Sequence, residues 1–362
     1  MKLLLATSIK FPSPFANRAQ ITDMARGFFD ALGTNFYFGG RNLPETNGRQ
    51  INFVRINGKK ISYLFAYHYM REIQIRGITH VYCREEKMLF FMLLYNLFYR
   101  TRVRFIYEAH FVPKKITVWW RFLLSRVGNV VATSSSIKKA LSCYVKSKRI
   151  VVAVHGVDVE RFAIDIDQAT ARDELKLPRK VSLVGYTGSV CTMGGVKKGM
   201  GELLDAVAQV DNLHLVAVGA NALDIEPYIN QAQRLGIAGR VLFREHVSRD
   251  TLALYQRACD VLVLPMPLNQ YAYMLPLKVF EYMASGRPIV ASRLPAVADV
   301  LDDNNSVLVE PGNIAELADA LSRTTKNPSA YESLANTARK EVSRYTWAFR
   351  VRTILDSIHN EQ

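Results

Sequence analysis

The sequence predicts an α/β protein made of two doubly wound domains, each a parallel sheet covered by helices. Its 362 residues exceed what a single hydrophobic core usually serves. Short apolar runs alternate with helical patterns along the whole chain. Some of these runs, including residues 215–218 and 261–264, are apolar on both faces, which is typical of strands buried inside a parallel sheet.

Twelve segments have the length and composition of strands, and in order they are residues 2–8, 35–39, 80–84, 103–108, 129–133, 150–154, 181–187, 213–219, 240–244, 260–265, 288–292 and 306–310. Their alternation with helices implies right-handed βαβ units. A polar stretch over residues 162–178 predicts a boundary between domains at 1–165 and 170–346. Because ligands of open α/β sheets bind at the carboxyl ends of strands, two such domains facing each other would hold a ligand in a central cleft.

The positive charge is confined to one half of the chain. Residues 1–170 contain 26 Lys and Arg against 11 Asp and Glu, whereas residues 171–362 contain 21 of each. This asymmetry indicates an anionic partner for the first half, such as an acidic membrane surface, a phosphorylated substrate or nucleic acid. The sequence has no RNP-type, zinc-finger or helix-turn-helix pattern, so no nucleic-acid partner is expected.

Cysteine spacing and hydropathy predict a cytoplasmic protein. The four cysteines are far apart and lack metal-ligand spacing, which is typical of free thiols in a reducing compartment. The apolar start of the chain is shorter than a signal-peptide core and predicts a first strand. The longest apolar run, residues 88–99, is well short of the ~20 residues that a membrane-spanning helix needs.

The segment 275–291 carries the strongest motif. Pro276 suits the first helical position, and Gly286 suits the helix end. Free N–H groups at such a helix start can receive a diphosphate, which makes binding candidates of Leu275, Pro276 and Leu277. One turn apart on one face, the Lys278 ammonium can contact phosphate and the Glu281 carboxylate can accept bonds from a ribose. An ordinary salt bridge between the two is the alternative.

A second motif follows the strand at 181–187. Gly188 and Ser189 form a small-residue loop, and Lys198 lies at the entry of the next helix. Glycines let the backbone approach a phosphate closely, and a lysine neutralises it. The loop matches neither the Walker pattern nor GxGxxG, so a kinase or dehydrogenase is not indicated. An ordinary strand–helix turn remains the alternative.

Polar residues elsewhere complete the candidates. His110 ends an apolar strand, where a cleft residue should lie, although a structural role is the alternative. The loop after the first strand offers Ser13 and Asn17 on the acceptor side. Asp165 and Asp167 have a pattern that can hold a metal. Because they lie in the linker rather than at a strand end, they are expected to be solvated.

Together these residues resemble the retaining GT-B glycosyltransferases of the family-4 type. The matching segments of the second half are residues 185–189, 198–199, 260–265, 275–291, 304–312 and 345–347. The first half matches through residues 82–84, 107–110 and 155–162, the last being similar to the family's interdomain crossing. The resemblance implies a GT-B fold and a final helix, at about residues 347–362, that packs back on the first domain.

The resemblance also implies roles for individual residues. Glu281 would bind the donor ribose, and His110 would contact the donor sugar from the opposite domain. Lys198, with Gly188, Ser189 and the helix start, would neutralise the diphosphate, so Lys198 and His110 are the catalytic candidates. Such enzymes usually need no bound metal, and no cofactor is expected.

The chain departs from the family pattern at three places. Tyr273 stands eight residues before Glu281, where many members carry a second glutamate. Residues 190–192 read Val-Cys-Thr where an arginine is often found. The paired glycines of the first loop are also missing. A subset of the family has a Pro-Leu-Lys sequence instead, as this chain does at Pro276–Lys278.

The expected reaction moves a sugar from a UDP- or GDP-type donor to a hydroxyl of a glycan or lipid-linked acceptor, with retention, in surface polysaccharide or glycolipid synthesis. Cations and aromatic residues at 114–124 are typical of a helix on an anionic membrane surface, so peripheral membrane binding is expected. A packed amphipathic helix is the alternative there. The alternatives for the protein are a GT-B sugar-nucleotide epimerase or hydrolase and, against the motifs, a basic nucleic-acid-binding protein.

Overall fold

The computed structural model describes residues 1–11, 16–43, 51–56, 61–191, 195–269 and 272–359, with the backbone alone for 16–19. It divides into two compact units. The first comprises Met1–Gly156 and Trp347–Gln362, and the second comprises Val157–Thr346. Each unit has its own sheet, core and covering helices.

The strands of the described residues fall into two sheets, and all pairings between them are parallel. They are β1 (Leu3–Lys10), β2 (Phe36–Arg41), β3 (Asn52–Arg55), β4 (His80–Cys83), β5 (Arg104–Ala109), β6 (Asn129–Ala132), β7 (Ile150–Val152), β8 (Ser182–Thr187), β9 (Leu213–Val218), β10 (Val241–Arg244), β11 (Val261–Leu264), β12 (Ile289–Ser292) and β13 (Val307–Val309).

The helices cover both sheets. They are α1 (Ala16–Leu32), α2 (Ser62–Arg76), α3 (Glu86–Tyr99), α4 (Val118–Arg126), α5 (Ser135–Leu141), α6 (Val159–Phe162), α7 (Gln168–Glu174), α8 (Met200–Ala208), α9 (Ala222–Arg234), α10 (Arg249–Ala258), α11 (Lys278–Ser285), α12 (Ile314–Lys326), α13 (Glu332–Glu341) and α14 (Trp347–His359). Several begin at side-chain caps: Ser134 accepts from the Ile137 N–H, and Asn313 accepts from the Glu316 N–H.

The strand order confirms two Rossmann-like α/β domains. The first sheet runs β3-β2-β1-β4-β5-β6-β7, and the second runs β10-β9-β8-β11-β12-β13. In each sheet the chain winds outward from its first strand in one direction and then in the other. The order therefore reverses between β1 and β4 and between β8 and β11. In doubly wound sheets, the crevice at such a reversal is the usual ligand site.

All twelve predicted strands are present, with each end within two residues of its expected position. The edge strand β3 is the one that sequence reasoning missed. Its four residues, Asn52–Arg55, begin and end with a polar side chain, and only Val54 is buried. The strand therefore lacks the apolar run that identifies the other strands. Edge strands are solvated along one side, and this weakens the hydrophobic signal that identifies a buried strand.

The core of each unit lies between its sheet and its helices. In the first unit, the Phe28 ring of α1 lies 5.7 Å from the Phe36 ring and 5.3 Å from the Tyr82 ring, which joins α1 to β2 and β4. In the second, apolar residues of β8, β9 and β11 pack against α8 and α12. The strands of both sheets are largely buried on both faces, as the continuous apolar runs predict.

Helix α14 belongs to the first unit, although it follows the second in sequence. It packs against α1, where a Cβ added to Gly27 would lie 3.0 Å from a Val351 methyl group. Its inward face buries Arg350, Val351, Ile354 and Ile358. The division between units lies before α6 rather than at the predicted residue 165, because α6 packs on α10 and α11 of the second unit.

The two linker aspartates, Asp165 and Asp167, are both exposed in the second unit, and Asp167 caps a helix. The Asp167 carboxylate caps α7 by accepting from the Thr170 N–H at 3.0 Å. In the described residues, no three His, Cys, Asp or Glu side chains come together in a group that could hold a metal ion. No helix of the same residues is long and apolar enough to cross a membrane.

Candidate functional site

The first candidate site lies in the second unit, where the strand order reverses between β8 and β11. Gly188 and Ser189 directly follow β8, Pro265 directly follows β11, and Lys278 opens helix α11. Because the two strands are parallel neighbours, their carboxyl ends meet at one edge of the sheet. The sequence-predicted loop and helix are therefore neighbours in space, although about 90 residues separate them in the chain.

Glycines shape the loop backbone at this edge. Gly188 has φ +92°, and its N–H donates to the Val218 carbonyl of β9 at 2.7 Å. Gly219 has φ +106°, and a Cβ there would lie 3.0 Å from the Gly188 Cα. Both positions need a conformation that other residues rarely adopt, and the two loops pack backbone to backbone. The backbone of the loop after β8 is therefore set by two glycines.

A third glycine joins the β8 and β11 loops. Gly199 is the N-cap of α8 with φ +85°, and a Cβ there would overlap the Pro265 carbonyl oxygen. The chain just before α8 is therefore held against the end of β11. This contact fixes the position of Lys198, whose N–H also donates to the Val190 carbonyl at 3.0 Å.

The Lys198 side chain points back to the glycine loop. Its Nζ donates to the Ser189 Oγ at 2.8 Å, and the residue is half-buried. Burial lowers the pKa of Lys198, although Cys191 acts in the opposite direction. A lysine tethered by a single neutral hydroxyl keeps two further donors for an anion.

Lys278 lies beside it. Its Nζ is buried, has no hydrogen-bond acceptor among the described residues, and lies 3.6 Å from the centre of the Tyr186 ring. Its Cε lies 3.4 Å from the position of a Cβ on Gly188. Burial, reinforced by the charge of Lys198, lowers the pKa of Lys278 well below its usual value. Two lysines from different elements thus converge on the loop that follows β8.

Helix α11 begins at Lys278, two residues later than the predicted start at Pro276. The N–H groups of Val279 and Phe280 donate to the carbonyls of Pro276 and Leu277, so this segment forms a tight turn before the helix. As predicted, the helix ends at Gly286, which has φ +66°. The anion-binding potential of this end therefore rests on the backbone before Val279 and on the Lys278 side chain.

The remaining donor candidates differ in exposure. Glu281 is half-buried in the first turn of α11, one turn after Lys278. Leu275 is 4% exposed, so its side chain belongs to the core and only its backbone can meet a ligand. Pro276 and Leu277 are half-buried, as is Tyr273 in the preceding loop.

Sequence reasoning missed the residue that fixes α11 to the sheet. The buried Tyr282 hydroxyl accepts from the Thr187 N–H at 2.9 Å, at the last position of β8. This bond sets the distance between the first turn of α11 and the glycine loop. The one available sequence signal was an aromatic hydroxyl inside an apolar helix face, which requires a buried partner.

The second candidate site lies in the first unit, around His110 after β5. The His110 Nε2 lies 2.6 Å from the Glu108 Oε1, and the His110 ring stacks on the His155 ring at 5.4 Å. Arg350 of α14 places its Nη2 3.1 Å from the same Glu108 oxygen. The Tyr82 hydroxyl donates to the other carboxylate oxygen. A buried carboxylate therefore joins the histidine to the final helix.

Electrostatics define the protonation of this cluster. Burial alone would raise the pKa of Glu108, but the Arg350 charge and the contact with His110 hold it well below its usual value. Burial, together with the Arg84 charge, lowers the pKa of His110. The His110 Nε2 lies close to Glu108 but has no hydrogen bond of good geometry among the described residues. A proton on Nε2 would face the carboxylate, which can only accept when ionised, and would leave Nδ1 as an acceptor for a hydroxyl.

The acceptor-side candidates lie at the edge of what the structure describes. Ser13 falls outside the described residues, and Asn17 is described only as backbone in α1. His110 and the lysine pair lie in different units, whereas Gly188, Ser189, Lys198 and Lys278 come together in one. The sequence could have indicated that Glu108 lies beside His110, because residues two apart along a strand share a face. Arg350 had none.

The comparisons with known proteins agree with this geometry. Residues 182–327 match the family described as Glycosyl transferases group 1. A D-inositol 3-phosphate glycosyltransferase from Streptomyces bingchenggensis is 26% identical over 228 residues, covering 60% of this chain and 49% of that protein. The chain therefore spans about half the length of the curated relatives it matches.

Solved structures extend the likeness to the whole chain. Anabaena HepE, solved with UDP, superposes with a TM-score of 0.79 at 18% identity, covering 99% of this chain and 100% of that one. It has also been solved with UDP-glucose. Sucrose-phosphate synthase from Thermosynechococcus elongatus has a TM-score of 0.77 at 18% identity, with 99% and 98% coverage. Residues 182–327 of the second unit are therefore similar to the family described as Glycosyl transferases group 1, on a chain that has the two-domain GT-B fold.

Proposed function

We propose that the protein is a retaining glycosyltransferase of the family-4 type. It would transfer a sugar from a UDP- or GDP-type donor to a hydroxyl of a glycan or lipid-linked acceptor, in surface polysaccharide or glycolipid synthesis. The observation that carries the proposal is the convergence of Lys198 and Lys278 on the glycine loop after β8. Two lysines beside the half-buried backbone of Gly188 and Ser189 suit the double negative charge of a sugar nucleotide's diphosphate. The family match over residues 182–327 supports the same reading.

In the proposed reaction, the bond between the anomeric carbon and the diphosphate breaks, and the acceptor hydroxyl attacks from the same face and passes its proton to the departing diphosphate oxygen. Negative charge grows on the departing diphosphate. Lys198, held by Ser189, and the first turn of α11 stabilise that charge where it forms. His110, whose ring is held by Glu108, accepts a hydroxyl of the donor sugar at Nδ1. The proposal requires no protein-bound metal.

The donor class can be tested by binding. Purified protein would be screened by thermal shift with UDP, GDP, ADP, CMP and their sugar conjugates, since a ligand that binds only the folded state raises the apparent Tm. We expect a shift with one nucleoside diphosphate class. Glu281→Ala should weaken that binding about 10–100-fold, the usual effect of losing a hydrogen bond to a charged group.

The matched control is Glu332→Ala, because Glu332 is exposed in the first turn of α13, away from the loop after β8. It should bind as the wild type does. A Glu281→Ala protein with unchanged affinity would remove the ribose assignment, and no shift with any nucleotide would overturn the proposed function.

The role of Lys198 can be tested in turnover. We expect Lys198→Ala to lower kcat about 10²–10³-fold, as for the loss of one preorganised donor at a developing anion. Lys197→Ala is the control, because the Lys197 side chain is exposed. A kcat near wild type in Lys198→Ala would show that leaving-group stabilisation lies elsewhere. Retention would be read from the anomeric configuration of the product by NMR.

The acceptor side of the proposal rests on charge and exposed aromatic residues in the first unit. That unit contains 27 Lys and Arg against 9 Asp and Glu, whereas the second contains 20 against 23. The expected surface helix at 114–124 is instead the packed helix α4, which buries Trp120, Leu123 and Leu124. The exposed apolar face lies mainly on its neighbours, at Tyr63, Leu64 and Tyr67 of α2 and Leu97 and Phe98 of α3.

This face is continuous, because rings of α2 contact rings of α3: Tyr63 lies 6.0 Å from Phe91, and Tyr67 lies 5.9 Å from Tyr95. Arg71 and Arg100 are exposed on the same two helices or at their ends. Aromatic rings flanked by cations suit the interface of an anionic bilayer. The proposed location is therefore the cytoplasmic face of a membrane, where a lipid-linked acceptor would be presented.

Vesicle co-sedimentation tests this surface. We expect binding to phosphatidylcholine vesicles that contain phosphatidylglycerol, and less binding to phosphatidylcholine alone. Phe98→Ser should reduce it, whereas Leu223→Ser should not, since Leu223 is 85% exposed in the second unit. Binding that ignores anionic lipid, or equal effects of the two variants, would remove the membrane from the proposal.

A further inference from the structure

Lys278 differs from the other described lysines. Its Nζ is buried, and among the described residues it is the one lysine in that position without a hydrogen-bond acceptor. A buried ammonium is costly unless it is paired. The Tyr186 ring face at 3.6 Å offers a weaker, non-directional attraction. When protonated, the side chain therefore has three donors at the edge of the glycine loop that no described acceptor uses.

Lys198 provides the contrast within the same site. It has a hydroxyl partner in Ser189 and lies on the loop before α8. The two ammonium groups repel each other, because the Lys198 charge opposes protonation of Lys278. Both can be charged at low cost only when an anion lies between or beside them.

We propose that Lys278 binds the donor diphosphate as a second cation beside Lys198 and takes up one proton from solvent when it does so. The inference rests on the proposed function and adds to it a coupling between donor binding and pH. In the free protein the Nζ is a neutral amine. In the complex it is an ammonium that donates to phosphate oxygens, and the proton comes from water or buffer.

The groups around Lys278 support this sequence of states. Tyr186 faces it from β8, Lys198 from the loop before α8, and Glu281 from its own helix. Burial and Lys198 lower its pKa, and Glu281 opposes them without outweighing them. A diphosphate adds negative charge at the Nζ and partly offsets the Lys198 charge. Both changes favour the protonated form.

The sign of the pH dependence follows. Between the pKa of Lys278 in the free protein and its pKa in the complex, binding takes up a proton, so raising the pH weakens binding. Where uptake reaches one proton, Kd rises tenfold per pH unit. Below the pKa of the free protein, the side chain is already charged and affinity no longer depends on its protonation.

Isothermal titration calorimetry measures the uptake directly. The probe is UDP-glucose, whose diphosphate is esterified at both ends and has no group that titrates near neutral pH. The binding enthalpy is measured at pH 8 in phosphate, HEPES and Tris, and its slope against the buffer ionisation enthalpy gives the number of protons taken up. We expect a positive slope that approaches one and a Kd that rises with pH by the matching amount.

Three variants identify the group. Lys278→Met should lose the slope and bind at least tenfold more weakly, while its apparent Tm rises because an unpaired buried amine is replaced by an apolar side chain. Lys278→Arg keeps a cation that does not titrate, so it should bind with a slope near zero and little pH dependence. Lys197→Met, at an exposed neighbour, should behave as the wild type does.

The outcomes separate the two proposals. Tight UDP-glucose binding with a slope near zero would overturn the proton uptake and leave the proposed function standing. A slope that persists in Lys278→Met would also overturn it, because the proton would then be taken up by another group. If neither UDP-glucose nor GDP-mannose binds, the proposed function is overturned, and this inference with it.

Discussion

At the scale of single residues, the two units surround their buried ionisable groups differently: one gives the group several partners, and the other leaves it without a hydrogen-bond acceptor among the described residues. Glu108 has partners on several sides, with Arg350 3.1 Å from one carboxylate oxygen and the Tyr82 hydroxyl on the other. Lys278 lies against an aromatic ring and lacks a hydrogen-bond acceptor. A fully paired buried charge rigidifies its surroundings, whereas an unpaired one favours whatever ligand can pair it. The first arrangement suits a group that orients a neighbour, and the second suits a group that binds.

The pairing of Glu108 gives a first prediction. Arg350→Met should lower the free energy of unfolding by about 3–5 kcal/mol, because it leaves a buried carboxylate without its counter-charge. Guanidinium denaturation of the variant, followed by tyrosine and tryptophan fluorescence, measures this.

The double variant Glu108→Gln with Arg350→Met serves as the control for this pair. Removing the carboxylate charge as well should recover part of the lost stability, so the two effects should not add. Simple additivity would show that Glu108 and Arg350 do not act as a pair.

At the scale of elements, the sheet edge at β8 and β11 depends on one glycine. Gly199 opens α8 with φ +85°, and a Cβ there would overlap the Pro265 carbonyl oxygen that follows β11. The helix entry and the end of the neighbouring strand can therefore be this close only without a side chain. The position of Lys198, the residue before, follows from that contact.

Gly199→Ala tests this dependence. We expect it to destabilise the protein by about 2 kcal/mol or more, from the strained backbone and the forced separation of two loops. Nucleotide affinity should fall as well, because Lys198 moves. Gly239→Ala is the matched control: nothing lies within 4 Å of its Cβ position, and it should change stability little. Equal stability of the two variants in thermal melts would contradict the argument.

The elements also mark how far the sequence alone could lead. Apolar runs predicted twelve strands, since buried parallel strands are the segments with the clearest pattern. They did not predict β3, which buries only Val54 of its four residues. Helix α11 starts two residues after the expected Pro276, because a tight turn precedes it.

The residues of the candidate sites also differ in whether the sequence could predict them. The loop and helix residues at Gly188, Lys198 and Lys278 stand in local motifs, so their convergence could be predicted once the strands were paired. The contact of Arg350 with Glu108 joins residues more than 200 positions apart. No local spacing encodes such a contact, because it depends on where α14 packs in the finished fold.

At the scale of the whole molecule, one unit is continuous in sequence and the other is not. Val157–Thr346 forms the second unit in a single stretch, whereas the first needs both Met1–Gly156 and Trp347–Gln362. Helix α14 supplies the first unit with Arg350 and with the apolar side chains of Val351, Ile354 and Ile358. Its removal would expose their partners on α1 and β6 and leave Glu108 without Arg350.

Truncation after Thr346 should therefore destabilise the first unit and spare the second. In the truncated protein we expect the melting transition of the first unit to fall by ten degrees or more, or to disappear, while the thermal shift given by nucleotide is kept. Calorimetry with and without UDP-glucose measures both. A truncated protein that loses the nucleotide response while its first unit still melts as in the full chain would contradict this division.

Because the first unit is formed from two separate stretches of sequence, its last helix is synthesised only after the whole second unit. All of the second unit is synthesised before α14. The second unit can therefore complete its sheet and bring Lys198 and Lys278 together while the first unit is still unfinished. Glu108 is synthesised more than two hundred residues before Arg350, with which it pairs in the folded protein. During that interval the nascent first sheet carries a carboxylate without its arginine and a row of apolar side chains awaiting α14. A chaperone that recognises such surfaces would have its main opportunity there, and a ribosome stalled after Thr346 but before α14 is complete would carry a chain with a finished second domain and an open first domain.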